Sequence, residues 1–253
     1  KVFKYTLIDL ARNRFVLGYA LLMLLVAQGL FLVEDDPSKA LLSLVQVVMA
    51  LVPLIALVFT IVYSYDTLEF TQLLAVQPIA RKSILAGQIM ALSVALLIAQ
   101  GFGLGLPLLV NEPSKAALML SLSGSGLVLV FTALGVLIAL KQREKARGVG
   151  VGLSIWFLFV LVYDALLMSL MFALSDYPIE PFVVPLAALN PIDMGRILVM
   201  LQVDLAAMMG YSGAVYKEFF GSSGGIVVAF GVMLLWVAIS TVFSFRTFQR
   251  KDL

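Results

Sequence analysis

"YDTLEFTQLLAVQPIARK", Tyr65 to Lys82, sits between two long apolar runs and is one of the few stretches of the chain suited to water. Asp66 stands where a helix N-cap belongs, and Glu69 three residues later completes a capping-box arrangement. Phe70, Leu73 and Leu74 then share one face, and Pro78 stops the helix near Gln77. The spacing predicts a helix of about eleven residues, roughly 16 Å long. Its apolar stripe has no soluble part of the chain to cover it. Either it lies on a membrane, or it fits a groove in another protein.

The surroundings favour a membrane. Of 253 residues, 62% are hydrophobic and only 13% charged, and the mean hydropathy is +1.08. Soluble domains are about half apolar and about a quarter charged. Runs long enough to cross roughly 30 Å of hydrocarbon occur at Phe15 to Val33, Ala40 to Tyr63, Ser83 to Val110, Ala116 to Leu140, Gly148 to Leu174 and Ile226 to Phe245. The period-two alternation of an outer-membrane barrel is absent from them, so the expected fold class is an all-α integral membrane protein with six transmembrane helices. The chain opens on Lys1 rather than Met, which points to a trimmed upstream segment. The first run is longer than a typical signal core, and no small-residue cleavage site precedes "EDDPSK". It therefore reads as a span.

Basic residues set the orientation. With a cytoplasmic N-terminus, the inner segments hold Lys1, Lys4, Arg12, Arg14, Arg81, Lys82, Lys141, Arg143, Lys145, Arg147, Arg246, Arg250 and Lys251, against Lys39, Lys115, Arg196 and Lys217 outside. That is 13 against 4 of the 17. Both termini are expected in the cytoplasm. The net charge of +2 expresses this bias and is no nucleic-acid footprint, since the cations are divided among separate loops.

Residues 1–14 place Phe3, Leu7 and Leu10 on one face with Lys1, Lys4 and Arg12 elsewhere, the pattern of an interfacial helix. "EDDPSK" and "NEPSK" read as turns, and "KQREKAR" as a tight basic turn. The one long connection, residues 175–225 on the outer side, contains an apolar patch from Ile197 to Gly210 interrupted by Gln202 and Asp204. Too short to span, it suits a re-entrant or interfacial helix, or a small cap. Gly101-x-x-x-Gly105 and Gly148-x-x-x-Gly152 allow close helix approach. No second domain interrupts residues 1–253.

Much chemistry is excluded. Without Cys or His, most intramembrane nucleophiles, general bases and metal sites disappear. Asp164 is the sole carboxylate deep in a run, so a paired-aspartate site fails, and there is no P-loop motif. No catalytic residue and no metal site is expected; Met194, Met200, Met208 and Met209 cluster in the outer loop, but methionine more simply fills apolar gaps. Asp164 itself, at a cost of about 2.5 to 3.5 kcal/mol if charged at a span centre, needs a cavity or a partner. Two readings stay open: a polar or proton-linked point on a transport path, or a protonated or hydrogen-bonded helix contact, for example with Ser, Gln or Tyr on another span.

The order of interfacial helix, two spans, "LLAVQPIARKSILAG", three further spans and a long outer loop with "LNPIDMGR" before the last span resembles the ABC-2 permeases of ABC transporters. Within that class, "WFLFVLVYDALL" and "LNPIDMGRI" are similar to the NosY permeases of nitrous-oxide reductase maturation. The resemblance implies a type V exporter-like fold in a bacterial inner membrane, a homodimer, and two NosF-like cytoplasmic ATPase subunits that hold the ATP and Mg while this chain binds no cofactor. It implies that residues 65–82 form a coupling helix, with Asp66, Glu69, Phe70, Leu73, Leu74, Gln77, Pro78 and Arg81 meeting the ATPase. Asp164 and the outer-loop residues Asn190, Pro191, Asp193 and Arg196 match family motifs. A periplasmic NosD-like partner and a part in supplying sulfur or copper to the enzyme's copper centres follow from the same resemblance. Competing readings are a general ABC-2 exporter, a scaffold that transmits movement without moving a substrate, and an ion-coupled carrier built on Asp164.

Overall fold

Apolar length sets where the helices run, and local caps set where they stop. The computed structural model describes residues 2–76, 80–174, 185–200, 202 and 223–250, and these are helical apart from short connections. The helices are α1 (Val2–Ala11), α2 (Arg14–Val33), α3 (Pro37–Asp66), α4 (Leu68–Val76), α5 (Arg81–Asn111), α6 (Lys115–Lys141), α7 (Lys145–Ala173), α8 (Pro191–Met200) and α9 (Ser223–Arg250). Six of them, α2, α3, α5, α6, α7 and α9, are long and apolar enough to cross a membrane. Each expected run is found within one of them, bar the final Leu174 of the fifth. The last span is longer, reaching Arg250 rather than Phe245. Asn13 accepts from the Phe15 amide at 2.9 Å, Asp36 from Ser38 at 2.9 Å and Ser114 from Ala117 at 3.2 Å, so polar caps start α2, α3 and α6.

Six crossings return the chain to its starting face. That terminal face carries α1, α4, the α6–α7 turn and the end of α9; the α2–α3 and α5–α6 turns lie opposite. Helix α6 is the pillar: 72% of its most apolar window is buried, against 6% for α7 and 17% for α9. It packs on α3, α9, α8 and α5. Helix α1 crosses the base of α5, where Val2 and Phe3 approach Gly87. Asp9 accepts from the Tyr63 hydroxyl at 2.9 Å, tying α1 to α3.

Glycine sites decide two of the helix pairs. A Cβ on Gly148 would meet the Tyr65 ring at 2.9 Å and one on Gly152 the Ile61 Cδ1 at 2.6 Å, so this expected small-residue motif seats α7 on α3. The other motif behaves differently. Gly101 meets nothing within 4 Å; the close approach belongs to Gly103, whose Cβ would lie 2.6 Å from the Ala20 carbonyl oxygen and 2.7 Å from Met23 Cβ. Gly101–Gly105 forms a π-helical stretch of α5, and α2 packs against it. One turn earlier in the spans, the Tyr19 hydroxyl donates to the buried Gln100 side chain, a second link between α2 and α5.

Gly103→Ala forces backbone apart and is expected to cost about 1 to 3 kcal/mol, seen as a lower thermal midpoint of the detergent-solubilised chain. Gly101→Ala, with open space around it, is expected to leave the midpoint unchanged or raise it.

Candidate functional site

Two places combine function-bearing residues with defined geometry: the elbow at α4, and a polar seam between α7 and α8.

At the elbow, α3 runs through Asp66 and turns at Thr67. The expected N-cap is therefore displaced. The Thr67 carbonyl accepts the Thr71 amide at 3.0 Å and the Thr71 hydroxyl at 2.9 Å, and the Thr67 hydroxyl donates back to the Tyr63 carbonyl at 2.8 Å. A β-branched hydroxyl residue thus serves both helix ends. Asp66 instead pairs with Lys145 at 2.6 Å, and the Tyr65 hydroxyl donates to the Gln142 carbonyl at 3.1 Å. Both bonds reach the basic turn between α6 and α7. Sequence spacing concealed this link because the partners stand 79 positions apart.

Nine residues of the elbow helix are described, Leu68–Val76. Its buried side is polar: Thr71 is 5% exposed and accepts from Gln88 Nε2 at 2.6 Å. Behind it lies a cavity of about 60 Å³, lined in part by Tyr63, Thr71, Gln88 and Gln142, enough for a few waters. Its outer side is apolar. Phe70 is 46% exposed, Leu73 68% and Val76 89%. Leu74, expected on this stripe, is half-buried, and Val76 takes its place on the open side; Glu69 is exposed beside them. Arg81 opens α5. Gln77 and Pro78 lie outside the described residues.

The seam begins with "NPIDMGR". Asn190 caps α8: its side chain accepts the Ile192 amide at 3.0 Å and its carbonyl the Met194 amide at 3.2 Å. Pro191 follows at the first helical position, where its missing N–H costs nothing. The helix thus starts at Pro191, set by the Asn-Pro pair, and takes in the beginning of the apolar patch, Ile197 to Met200. Positions 201 and 203–210 lie outside the described residues, with Asp204, Met208 and Met209. Met194 is fully buried in the core.

Two hydrogen bonds tie the described residues just before α8 to α7. Asn190 Nδ2 donates to the Phe159 carbonyl at 2.8 Å, within a π-helical stretch of α7, Leu158–Val162. The Tyr163 hydroxyl donates to the Leu186 carbonyl. Trp156 donates to the Ala50 carbonyl of α3 at 2.9 Å, inside the turn that Pro53 loosens. Phe159 stacks edge-on to Phe131 of α6 at 6.3 Å and to Trp236 of α9 at 5.5 Å, and Trp236 donates to the Leu189 carbonyl at 3.1 Å.

Asp164 finds its partner here. Arg196 Nη1 lies 2.5 Å from Asp164 and 3.4 Å from Asp193, and Asn190 donates to Asp193 at 2.9 Å. The partner is a guanidinium from α8, rather than a Ser, Gln or Tyr of another span. The hint was present in the Asp193–Arg196 spacing of one helical turn. Burial, then the hydrogen bond and negative charge of Asp164, push the Asp193 carboxyl up to about 8, against the pull of Arg196 and Asn190. One proton and one guanidinium thus offset the two acids.

A third feature is an apolar groove of about 540 Å³ between α2 and α3, lined by residues including Phe15, Tyr19, Leu54, Phe59 and Leu153, with Arg14 at its rim.

Arg196→Ala leaves two facing acids without a cation and is expected to cost about 3 to 5 kcal/mol; Asp164→Leu with Arg196→Leu restores most of it, both read from thermal midpoints. The Asp193 carboxyl has an ordinary value of 3.8 and a raised one in the folded chain. Its protonated contribution is full below the ordinary value and lost as pH rises through about 8. Wild-type midpoints are therefore expected to fall between about pH 4 and about pH 8, and Asp193→Asn to flatten that slope.

Sequence comparison brings these features under one description. No curated protein matches the chain. The family described as ABC-2 family transporter protein matches residues 2–253. With six apolar helices crossing a single domain-length match, the chain is a multi-pass membrane permease subunit and belongs to the ABC-2 transporter family.

Proposed function

We propose that a separate cytoplasmic ATPase grips this permease at α4, and that ATP-driven movement enters the bundle there. The observation that supports this most is the elbow: four apolar side chains, Leu68, Phe70, Leu73 and Val76, exposed on a short helix between two spans, with its polar side bonded to α5 and its root bonded to the α6–α7 turn. An exposed stripe backed by fixed bonds passes force on instead of yielding. In this reading both termini face the cytoplasm of a bacterial inner membrane, an orientation that the 13 to 4 division of cations supports. Helix α1 then lies along the membrane interface, and two ATPase copies bring ATP and Mg to a homodimer. The scarcely buried faces of α2 and α7, flanking the apolar groove, supply the surface for the second copy.

The finer reading is a NosY-like permease acting in maturation of the copper centres of nitrous-oxide reductase. Its support is the resemblance carried by Trp156 to Asp164 and Leu189 to Ile197, which form the two sides of the seam. A NosD-like periplasmic protein would then sit over residues 175–225. The scaffold reading has an observation of its own: α7 joins the elbow, through Lys145, to the seam, through Asp164, as one continuous helix. Movement at one face has a direct route to the other. An ion-coupled carrier needs Asp164 open to an ion, and the 2.5 Å contact with Arg196 counts against it.

Purification of the chain from its native membrane in mild detergent, followed by mass spectrometry, is expected to recover a P-loop ATPase. Phe70→Asp with Leu73→Asp should weaken that recovery at least about thirtyfold, the scale of hot-spot loss. Because both side chains are exposed, the thermal midpoint should stay put. Equal recovery by the variant sinks the α4 reading, and co-recovery of a periplasmic repeat protein supports the maturation role.

A further inference from the structure

The ends of α5 and α9 leave an open groove of about 480 Å³ at the terminal face. Its rim is polar and basic: Lys82 and Ser83 from the start of α5, Arg246 and Gln249 from the end of α9. Its floor is Ala86, Val242 and Phe245. The order along each helix is the informative part. Ala86 lies four residues into the span from Lys82, and Val242 four residues into the span from Arg246, so on both helices the lining changes from cation to apolar over one turn, about 6 Å. Lys82 and Arg246 are exposed. Among the described residues, neither has an ion pair or a side-chain hydrogen bond, and no carboxylate lines the groove. The N-cap position of α5 is Ala80, which offers no side-chain oxygen to compete for an anion's place.

We propose that this groove binds an anionic phospholipid, its phosphate between Lys82 and Arg246 and an acyl chain laid over Phe245 and Val242 toward Ala86. Basic pockets between membrane helices suit anionic headgroups, since each cation near the surface adds to the attraction. An acidic patch on a soluble partner would satisfy the two cations. It would approach from water, however, and leave the floor a turn deeper uncovered. A lipid satisfies both levels at once. The assignment stands whether or not α4 grips an ATPase.

Native mass spectrometry of the purified full chain, titrated with phosphatidylglycerol or phosphatidylcholine, tests it. The expected result is several-fold preference for phosphatidylglycerol, weakened roughly fivefold by Lys82→Ala or Arg246→Ala and about twenty-five-fold by both. Lys39→Ala with Lys115→Ala, which removes two exposed cations from the opposite face, should change nothing. Ala86→Phe, which fills the floor and keeps both charges, should weaken the long-chain lipid as well. Equal loss in the Lys39 and Lys115 variant, or no loss in the Lys82 and Arg246 variant, overturns the proposal. So does displacement of the lipid by inorganic phosphate at matched concentration, which would mark an anion site without an acyl component. Loss of a co-purifying protein with lipid binding intact would make the groove a protein interface and overturn it too.

Discussion

Helices immersed in hydrocarbon gain little from hiding apolar side chains from one another, because the lipid tails are equally apolar. What holds such a bundle is close backbone approach and the pairing of polar groups that have no water to turn to. The molecule uses both devices where its helices would otherwise drift. Helix α2, with 22% of its window buried, is held by Gly103 against the Ala20 carbonyl and by Tyr19 on Gln100. Helix α7, buried still less, is held by Gly148 and Gly152 against α3, by Trp156 on the Ala50 carbonyl and by Asp164 on Arg196. The central α6 uses close approach too: a Cβ on Gly135 would meet the Leu57 carbonyl oxygen of α3 at 3.0 Å, and one on Gly126 the Met233 sulfur of α9 at 2.7 Å.

Helix α7 shows the same economy along its whole length. Between the elbow and the seam, α7 has few partners to absorb a displacement. Its attachments lie along one narrow line, from Lys145 beside Asp66 to Asp164 beside Arg196. The rest of its surface is apolar and faces outward, as Leu161, Leu166, Met168 and Phe172 do. Helix α7 is thus tied at both ends and along one edge.

The spans were legible because apolar length is a one-dimensional property, and six runs located six helices. Exposure of Phe70 and Leu73 was legible for a similar reason: a short apolar face with no soluble domain to cover it stays open. Details that depend on distant partners were not. Asp66 looked like a cap until Lys145, 79 positions away, took it and left the corner to Thr67. Arg196 belonged by sequence to an outer loop, and only the packing of α8 into the bundle brings it to Asp164. Gly103 was hidden between two glycines of a familiar spacing, because helix crossing angles decide which small residue is touched. The start of α8 could have been read from Asn190 and Pro191 had capping been weighed above hydropathy.

The π-helical stretch of α7 bears on angular phase. Twelve residues separate Gly152 from Asp164, and at about 100° per residue an uninterrupted α-helix would carry Asp164 roughly 120° around from the glycine edge, toward lipid. A single π turn accommodates about one extra residue and sets the rotation back by about 100°. Asp164 then lies within roughly 20° of Gly152, and one edge of the helix serves α3 below and α8 above. The stretch Leu158–Val162 is therefore a phase corrector. Removing one residue from it would leave eleven steps between Gly152 and the carboxylate, which a regular α-helix already brings to within roughly 20°, so the deletion would straighten the helix and keep Asp164 facing Arg196, whereas forcing all twelve steps into regular α-helix would turn it toward hydrocarbon.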